Sequence, residues 1–387
     1  MVSLLLPIIY LSFISLGLPD ALLGAAWPVM CLEFNVPVSF AGIISITISC
    51  GTIISSLMSD RLTRRFGTAK VTACSVAMTA VALFCFSITG SFWLLLLWAI
   101  PYGLGAGSVD ASINNYVALH YASRHMSWLH CMWGVGASIG PYIMGYALNG
   151  GQGWNMGYRY IALMQMILTA ILVFSIPHWK RRDTDVTEGN GAPAAALSLK
   201  EVLEIPGAKE IMVAFFCYCA LEGTAMLWSA TYLVRYVGMH EERAASLASM
   251  FFLGITTGRA LSGFMTYKFN DMNMIRIGQV VILAGVIVML LPLGELAALA
   301  GLLLVGLGCA PIYPSVIHST PDHFGEENSQ AIIGVQMASA YLGSLLAPPV
   351  FGLIANHISA SLLPCYLAVI LVLMVLMCEQ LNRKCKV

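Results

Sequence analysis

Charge is scarce in this chain of 387 residues: Asp, Glu, Lys and Arg together make up 10%. A soluble domain carries about 25% charged residues to cover its surface. A water-facing shell over most of this chain is therefore excluded, and its solvent is lipid. The charges also balance, Lys+Arg 19 against Asp+Glu 19, so no basic surplus points to nucleic acid. No charged region precedes the first apolar run and no small-residue cleavage site follows it. Leu4–Val29 therefore reads as a retained helix, not a signal peptide. The 11 Cys form no CxxC pair; Cys50, Cys74, Cys85, Cys131, Cys217, Cys219 and Cys309 lie within apolar runs and read as buried, reduced thiols. There is no HExxH and no phosphate loop. Gly103-Leu-Gly105 follows no strand, which removes a nucleotide-binding reading. No catalytic, metal-binding or cofactor motif remains, and no ATP-driven step is expected from this chain.

What is abundant is apolar: 59% of residues are hydrophobic. A helix needs about 20 such residues to cross the hydrocarbon. The pattern predicts twelve spans, at Leu4–Val29, Ala41–Ser59, Ala69–Ile88, Phe92–Leu119, Met126–Ala147, Tyr160–Ile176, Ile211–Val234, Ala244–Tyr267, Ile275–Leu293, Leu296–Val316, Ala331–Ala355 and Leu362–Met377. A β-barrel is excluded, because its strands alternate over about 10 residues instead of running apolar for 20. One long polar stretch, Lys180–Glu210, carries Lys180, Arg181, Arg182, Asp183, Asp185 and Glu188 and then Gly189-Asn-Gly-Ala-Pro193. It splits the chain into residues 1–179, a linker 180–210 and residues 211–387, six spans on either side.

Lys and Arg in the loops set orientation. With the N-terminus inside, the inner loops and C-terminus hold Arg61, Arg64, Arg65, Lys70, Arg124, Lys180, Arg181, Arg182, Lys200, Lys209, Lys268, Arg276, Arg383, Lys384 and Lys386; the outer loops hold Arg159, Arg235 and Arg243. Both termini are expected in the cytoplasm, and the compact loops suit a bacterial inner membrane.

The halves resemble each other. Gly51-Thr-Ile-Ile-Ser-Ser-Leu-Met-Ser-Asp60 lines up with Gly254-Ile-Thr-Thr-Gly-Arg-Ala-Leu-Ser-Gly263. Gly103-Leu-Gly matches Gly306-Leu-Gly, and Ile139-Gly-Pro141 with Gly145 matches Leu346-Ala-Pro348 with Gly352. Three matches in one order point to a parallel repeat of six helices, a layout that puts the site of a transporter between its repeats.

Twelve spans, a six-plus-six division and a basic loop after the second span resemble the major facilitator superfamily. The sharpest mark is Ser59-Asp60-Arg61-Leu62-Thr63-Arg64-Arg65-Phe66-Gly67, similar to the family's loop motif G-x-x-x-D-R-x-G-R-R. It departs from that motif in Ser56, which replaces the leading Gly, and in two residues inserted before Gly67. The resemblance implies an all-α membrane fold of two pseudo-symmetric six-helix bundles, usually monomeric. It also implies a cytoplasmic latch of Asp60 with Arg61 or Arg65; a plain positive-inside anchor is the simpler reading. Gly17-Leu-Pro-Asp20-Ala-Leu-Leu-Gly24-Ala-Ala-Trp27-Pro28 and Gly103-Leu-Gly105-Ala-Gly107-Ser-Val-Asp110-Ala-Ser-Ile-Asn114-Asn115 resemble the fucose–galactose–glucose:proton symporter branch. In that branch acids of the first and fourth helices couple proton and sugar movement. Asp20 and Asp110 fall on the matching segments, with Asp in place of Glu in the fourth. Gly134-Val-Gly136-Ala-Ser-Ile-Gly140-Pro141 also resembles, incompletely, a motif of drug–proton antiporters.

Charges inside spans are costly and are functional candidates by default. Here they are Asp20, Asp110, Glu222 and Arg259. Three carboxylates face one guanidinium, so Arg259 can neutralise only one of them. At least one other must be protonated, bind a cation or sit in water, which is the chemistry that proton coupling needs. Three of them have a structural reading too: Asp20 as a helix-breaker beside Pro19, Asp110 as a buried acid holding Asn114, and Arg259 as a fixed counter-ion or, since it aligns with Ser56, part of a second latch; no motif backs Glu222.

Asp110 and Asn114 share a helix face, with Asn115 one step round. Amides both donate and accept, which suits hydroxyl-rich ligands. The expected solute contacts are Trp27, Asn114, Asn115, His130, Trp228 and Gln336; Trp133 lies three positions beyond His130, and Gln165 is another single amide within a span. Tryptophans in spans also serve simply as packing or interface anchors. The sequence therefore predicts a secondary active transporter, not an enzyme, that takes up a small hydroxylated solute, a sugar, with protons. The coupling residues are Asp20, Asp110 and Glu222. Sodium is the rival coupling ion, and export of amphiphilic compounds is the rival function, favoured by the 21 Met that can repack around varied ligands.

Overall fold

The computed structural model describes residues 5–20, 22–37, 40–187 and 197–385. Among them there is no strand. The helices are α1 (Leu5–Gly17), α2 (Leu22–Glu33), α3 (Phe40–Phe66), α4 (Thr68–Ile88), α5 (Phe92–His120), α6 (Ser123–Asn149), α7 (Gly153–Thr187), α8 (Leu199–Glu204), α9 (Ala208–Arg235), α10 (Glu241–Met265), α11 (Asp271–Leu290), α12 (Glu295–His318), α13 (Thr320–Phe324), α14 (Glu326–His357) and, after a 3-10 turn at Ala360–Leu362, α15 (Leu363–Lys384). Ten segments, with α1 and α2 counted as one, are long and apolar enough to cross a membrane. The more polar α6 and α10, at 27 and 25 residues, are also of membrane length and complete the expected twelve.

Two boundaries differ from expectation. The first span is not one helix but breaks at Leu18-Pro19-Asp20. The sixth runs past Ile176 to Thr187, so the start of the polar stretch is helical; its middle, Glu188 and Gly189–Pro193, lies outside the described residues. Before α9 the capped turn α8 begins at Ser198, whose hydroxyl accepts from the Glu201 amide while the Glu201 carboxylate accepts from the Ser198 amide.

The break in the first span has a local cause and a distant support. Pro19 has no N–H, so the carbonyl four residues earlier, that of Ser15, loses its helical donor. Gln165 of α7 supplies one: its Nε2 donates to the Ser15 carbonyl at 2.8 Å, and its Oε1 accepts from Thr79 of α4 at 2.9 Å. An amide that the sequence left unassigned thus holds the break open. Gln165→Leu leaves the buried carbonyl without that donor, which costs about 1–3 kcal/mol. A thermal-unfolding series in detergent should show that loss, with a smaller one for Gln165→Glu, which keeps an acceptor for Thr79.

The chain forms two compact units, Met1–Tyr116 with Leu129–Leu197, and Val117–Trp128 with Ser198–Val387. In lipid, helices associate through close backbone approach at small residues, and both units are built this way. In the first, a Cβ on Gly103 of α5 would strike the Ile48 carbonyl of α3, and one on Gly51 would sit 3.1 Å from the Leu104 nitrogen. In the second, a Cβ on Gly306 of α12 would strike the Phe251 carbonyl of α10, and one on Gly254 would lie 2.5 Å from the Leu303 carbonyl. The repeat read from Gly51/Gly103 and Gly254/Gly306 is therefore one helix contact made twice.

The second unit includes the turn between α5 and α6. His318 of α12 places Nδ1 2.6 Å from Asp271 Oδ2 and Nε2 3.0 Å from the Tyr121 carbonyl. Both partners are acceptors, so both ring nitrogens donate, as in imidazolium. Ser123 donates to the other Asp271 oxygen at 2.5 Å. Arg124 lies over the Tyr267 ring, and Trp128 packs edge-on against Phe264 in the space that Gly263 leaves open. His318→Leu removes both bonds. A charge-assisted bond contributes about 1.5–3 kcal/mol, so the loss of even one of the two should raise opening of residues 117–128 by about ten- to a hundredfold. The rate of tryptic cleavage at Arg124 reads this, and an unchanged rate would show that the histidine does not hold the turn.

Candidate functional site

In the first unit two acids meet N–H donors. Glycines on α6 make one meeting possible: a Cβ on Gly136 would strike the Ile14 carbonyl, one on Gly140 the Leu18 carbonyl, and one on Gly17 the Trp133 carbonyl. The end of α1 thus lies backbone to backbone with α6, and Asp20, exposed in the break just beyond, receives the Trp133 indole N–H at 2.8 Å. The same stretch spells Gly136-Ala-Ser138-Ile-Gly140, a G-x-S-x-G spacing that corrects the reading of a sequence without any catalytic motif. That spacing can carry a nucleophilic serine on a strand-to-helix turn. Here it is mid-helix, and Ser138 donates to the Gly134 carbonyl.

Asp110 is 4% exposed on α5. Its Oδ1 accepts from Asn114 Nδ2 at 2.8 Å, and Asn114 Oδ1 lies 3.0 Å from His130 Nε2 of α6. Phe13 stands edge-on to the His130 ring. Asp110, Asn114 and His130, expected on separate grounds as coupling and contact residues, are one chain of hydrogen bonds. Asn114 is 0% exposed and engages both ends of its amide inside the unit. Asn115 is also buried. Trp27 is buried against Phe92 in an apolar cluster with Leu22 and Met30, as a packing tryptophan.

In the second unit Arg259 of α10 donates to Glu222 of α9 at 3.2 Å. The one intramembrane guanidinium is therefore matched to the acid for which no sequence motif spoke. Gln336 is buried and exchanges hydrogen bonds with Thr320, at 3.1 and 3.2 Å. Trp228 donates its indole N–H to the Pro348 carbonyl at 2.8 Å, over the space left by Gly352, and braces α14 at its Pro348-Pro349 pair. Of the residues expected to touch solute, Trp27, Asn114 and Gln336 are therefore sealed by protein contacts. Trp133, flagged in the sequence only by its spacing from His130, sits at the more open position.

At the end of α3, Asp60 pairs with Arg64, Nε to Oδ1 at 2.8 Å. The expected partners Arg61 and Arg65 are exposed, and Arg65 lies over the Phe66 ring. Helical spacing explains the difference. Residues four apart share a face, whereas neighbours one apart diverge. No group of His, Cys, Asp and Glu among the described residues is arranged to hold a metal ion.

The family model of the Major Facilitator Superfamily matches residues 9–294 and 211–381. The chain belongs to this superfamily. It is thus a multi-pass membrane transporter, and some of its relatives are named as transporters of different solutes. A glucose/mannose transporter of Bacillus subtilis is 19% identical over 79% of this chain and 77% of its own length. A 4-hydroxybenzoate transporter of Pseudomonas aeruginosa is 23% identical over 92% and 89%. Bypass of stop codon protein 6 of Saccharomyces cerevisiae is 23% identical over 67% of this chain; the match spans 56% of that longer protein. Among solved structures, FucP in its outward conformation aligns with a TM-score of 0.76 at 14% identity, covering 97% of this chain and 98% of that one. At that identity the likeness is one of fold.

Proposed function

We propose that the chain is a proton-coupled symporter for a small hydroxylated solute of the sugar class, working by alternating access. The observation that carries the reading is the distribution of charge. Arg259 is matched to Glu222, while Asp20 and Asp110 take neutral N–H donors, Trp133 and Asn114. The neutral indole N–H leaves the Asp20 carboxylate able to take up a proton without breaking an ion pair. Glu222, first grouped with the coupling acids, is on this reading part of a fixed ion pair with Arg259 as its counter-ion. Proton entry falls to Asp20, exposed at the helix break, and to Asp110 behind it. Trp133 joins Asp20 on the solute-facing side, while Trp27, Asn114, Trp228 and Gln336 support the helices that carry the site. The fold likeness to FucP, a fucose:proton symporter of E. coli, and the kinship with a glucose/mannose transporter support this substrate class.

The surplus of Lys and Arg in alternate loops supports an inner-membrane protein with both termini in the cytoplasm and residues 1–179 and 211–387 as its two bundles. Asp60 with Arg64 then belongs to a cytoplasmic latch. Arg64→Gln should slow turnover more than it weakens solute binding, whereas Arg61→Gln and Arg65→Gln should have little effect; initial rates of uptake and equilibrium binding separate the two. Equal effects of all three would make them plain positive-inside anchors.

The test of function uses liposomes that hold a pH-sensitive dye, challenged with glucose, mannose, galactose, fucose and xylose with and without sodium. Acidification of the lumen on adding one sugar, without sodium, is the expected result. A strict sodium requirement would give the coupling to that ion. Silence across the sugars, with a response to 4-hydroxybenzoate or displacement of a bound lipophilic dye, would favour the second reading, transport of aromatic or amphiphilic compounds. That reading has support in the 4-hydroxybenzoate transporter among the relatives.

A further inference from the structure

His318 and Asp271 stand at helix ends that suit opposite charges. Asp271 opens α11 and His318 closes α12. A helix N-terminus favours a carboxylate and a C-terminus favours a cation, so the proton of this pair belongs on the ring. The ring also needs it. Asp271 Oδ2 faces Nδ1 at 2.6 Å, and the Tyr121 carbonyl faces Nε2 at 3.0 Å. A neutral imidazole has one N–H and one lone pair. If it keeps Nδ1–H, the Tyr121 carbonyl meets a lone pair. If it keeps Nε2–H, the lone pair meets the carboxylate. A proton moved from the ring to Asp271 Oδ2 would serve the same two bonds, so the requirement is one proton on the pair, wherever it sits.

The pair grips the turn between α5 and α6 on both sides. The ring holds the Tyr121 carbonyl, and the second Asp271 oxygen accepts from Ser123 at 2.5 Å. Asp322 of α13 is within electrostatic reach of the ring, and its charge favours the protonated form. The other titratable groups nearby are engaged elsewhere. Arg124 lies over the Tyr267 ring, His125 stands edge-on to Tyr121 and Trp128, and His323 places Nδ1 2.7 Å from the Ser319 carbonyl. His120 ends α5.

We propose that His318 and Asp271 form a proton-binding site separate from Asp20, Asp110 and Glu222, and that its proton fastens the α5–α6 turn. The step is a plain proton transfer: an imidazole nitrogen gives its proton to water, and only hydrogen bonds to the turn are lost. The site needs no solute, so it goes beyond the reading of sugar symport and does not depend on it. Its effect on transport follows from its place. α5 carries Asp110, and α6 carries Trp133, the partner of Asp20. The ends of both helices are tied while the proton is bound. On the orientation that puts this turn in the cytoplasm, an acid cytoplasm keeps the clasp shut, and protons that enter with solute slow further entry.

The experiment follows tryptic cleavage at Arg124 of the full-length protein in nanodiscs from about pH 5.5 to 9, with protons as the only ligand. The pH dependence of trypsin itself is divided out with a small arginine substrate. Relative cleavage should rise about ten- to a hundredfold with pH, in a single one-proton step above the pH near 6.5 at which a free imidazole titrates. In His318→Gln cleavage should be fast and flat across the range. In Asp271→Asn, which no longer offers a negative charge to the ring, the step should move to lower pH, a shift that a merely structural role would not produce. A flat wild-type profile overturns the inference. So does a step that persists in His318→Gln, which would belong to His120, His125 or His323, and so does a step that Asp271→Asn leaves in place. No sugar is present, so a failure of the sugar reading in the liposome assay leaves this result untouched.

Discussion

The Asp110→Asn protein is expected to exchange solute across a liposome membrane but not to accumulate it against a gradient. The substitution preserves shape and can still hydrogen-bond to Asn114, so the α5–α6 contact survives while the titratable group is lost. The size of the effect follows from the driving force. One elementary charge moved through 100 mV is worth about 2.3 kcal/mol, and each 1.4 kcal/mol is about tenfold in a concentration ratio. One proton per solute at that potential therefore supports about fifty-fold accumulation. In the Asn protein the ratio should fall to about one, with counterflow of labelled solute retained. Accumulation equal to wild type would remove Asp110 from the mechanism and leave Asp20 as the sole candidate. Glu222→Gln is the informative control. Because Arg259 is its partner, that change leaves a buried guanidinium without its charge match, and removal of one partner of a buried pair costs about 3–5 kcal/mol. Its damage should appear as lost protein in the membrane and lowered thermal stability, not as uncoupled exchange.

The second large effect concerns assembly. Gly103→Val and Gly306→Val each place a side chain against a backbone carbonyl, that of Ile48 and that of Phe251. A backbone cannot move aside as a side-chain tip can, so α3 must separate from α5, or α10 from α12. Overpacking commonly costs about 1–3 kcal/mol and occasionally more, and these should be among the larger cases. Because the contact is repeated, the two variants should fail alike, one in each unit. Gly24→Ala and Gly42→Ala are the contrast, since a Cβ at either meets nothing within 4 Å; in a helix interior alanine should be neutral or stabilising by up to about 1 kcal/mol. Thermal melting of the four purified variants tests both claims. Equal stability across them would mean that the glycines are incidental to packing.

Part of this protein was legible in the sequence because the physics that sets it is local. Scarcity of charge and apolar runs of membrane length follow from composition along the chain, so the all-α membrane class and the twelve helices could be read directly. The repeat was visible because close helix contacts need glycine, and Gly51, Gly103, Gly254 and Gly306 kept their relative spacing. The acids within spans were conspicuous because charge in hydrocarbon is rare.

Which residue meets which was decided only by the tertiary structure. Asp60 chose Arg64 over Arg61 by helical phase. Arg259 chose Glu222, one of three acids on offer, because α9 and α10 bring those two positions together. Trp133 found Asp20 across 113 positions of chain, and Gln165 found the Ser15 carbonyl across 150. Asn114 and Gln336, amides that looked free to bind a solute, proved to be engaged at both ends. Hydropathy and charge belong to residues one at a time, whereas a buried hydrogen bond belongs to a pair. Its formation depends on how closely two helix backbones approach and at what rotation, and that is fixed by packing along their whole length.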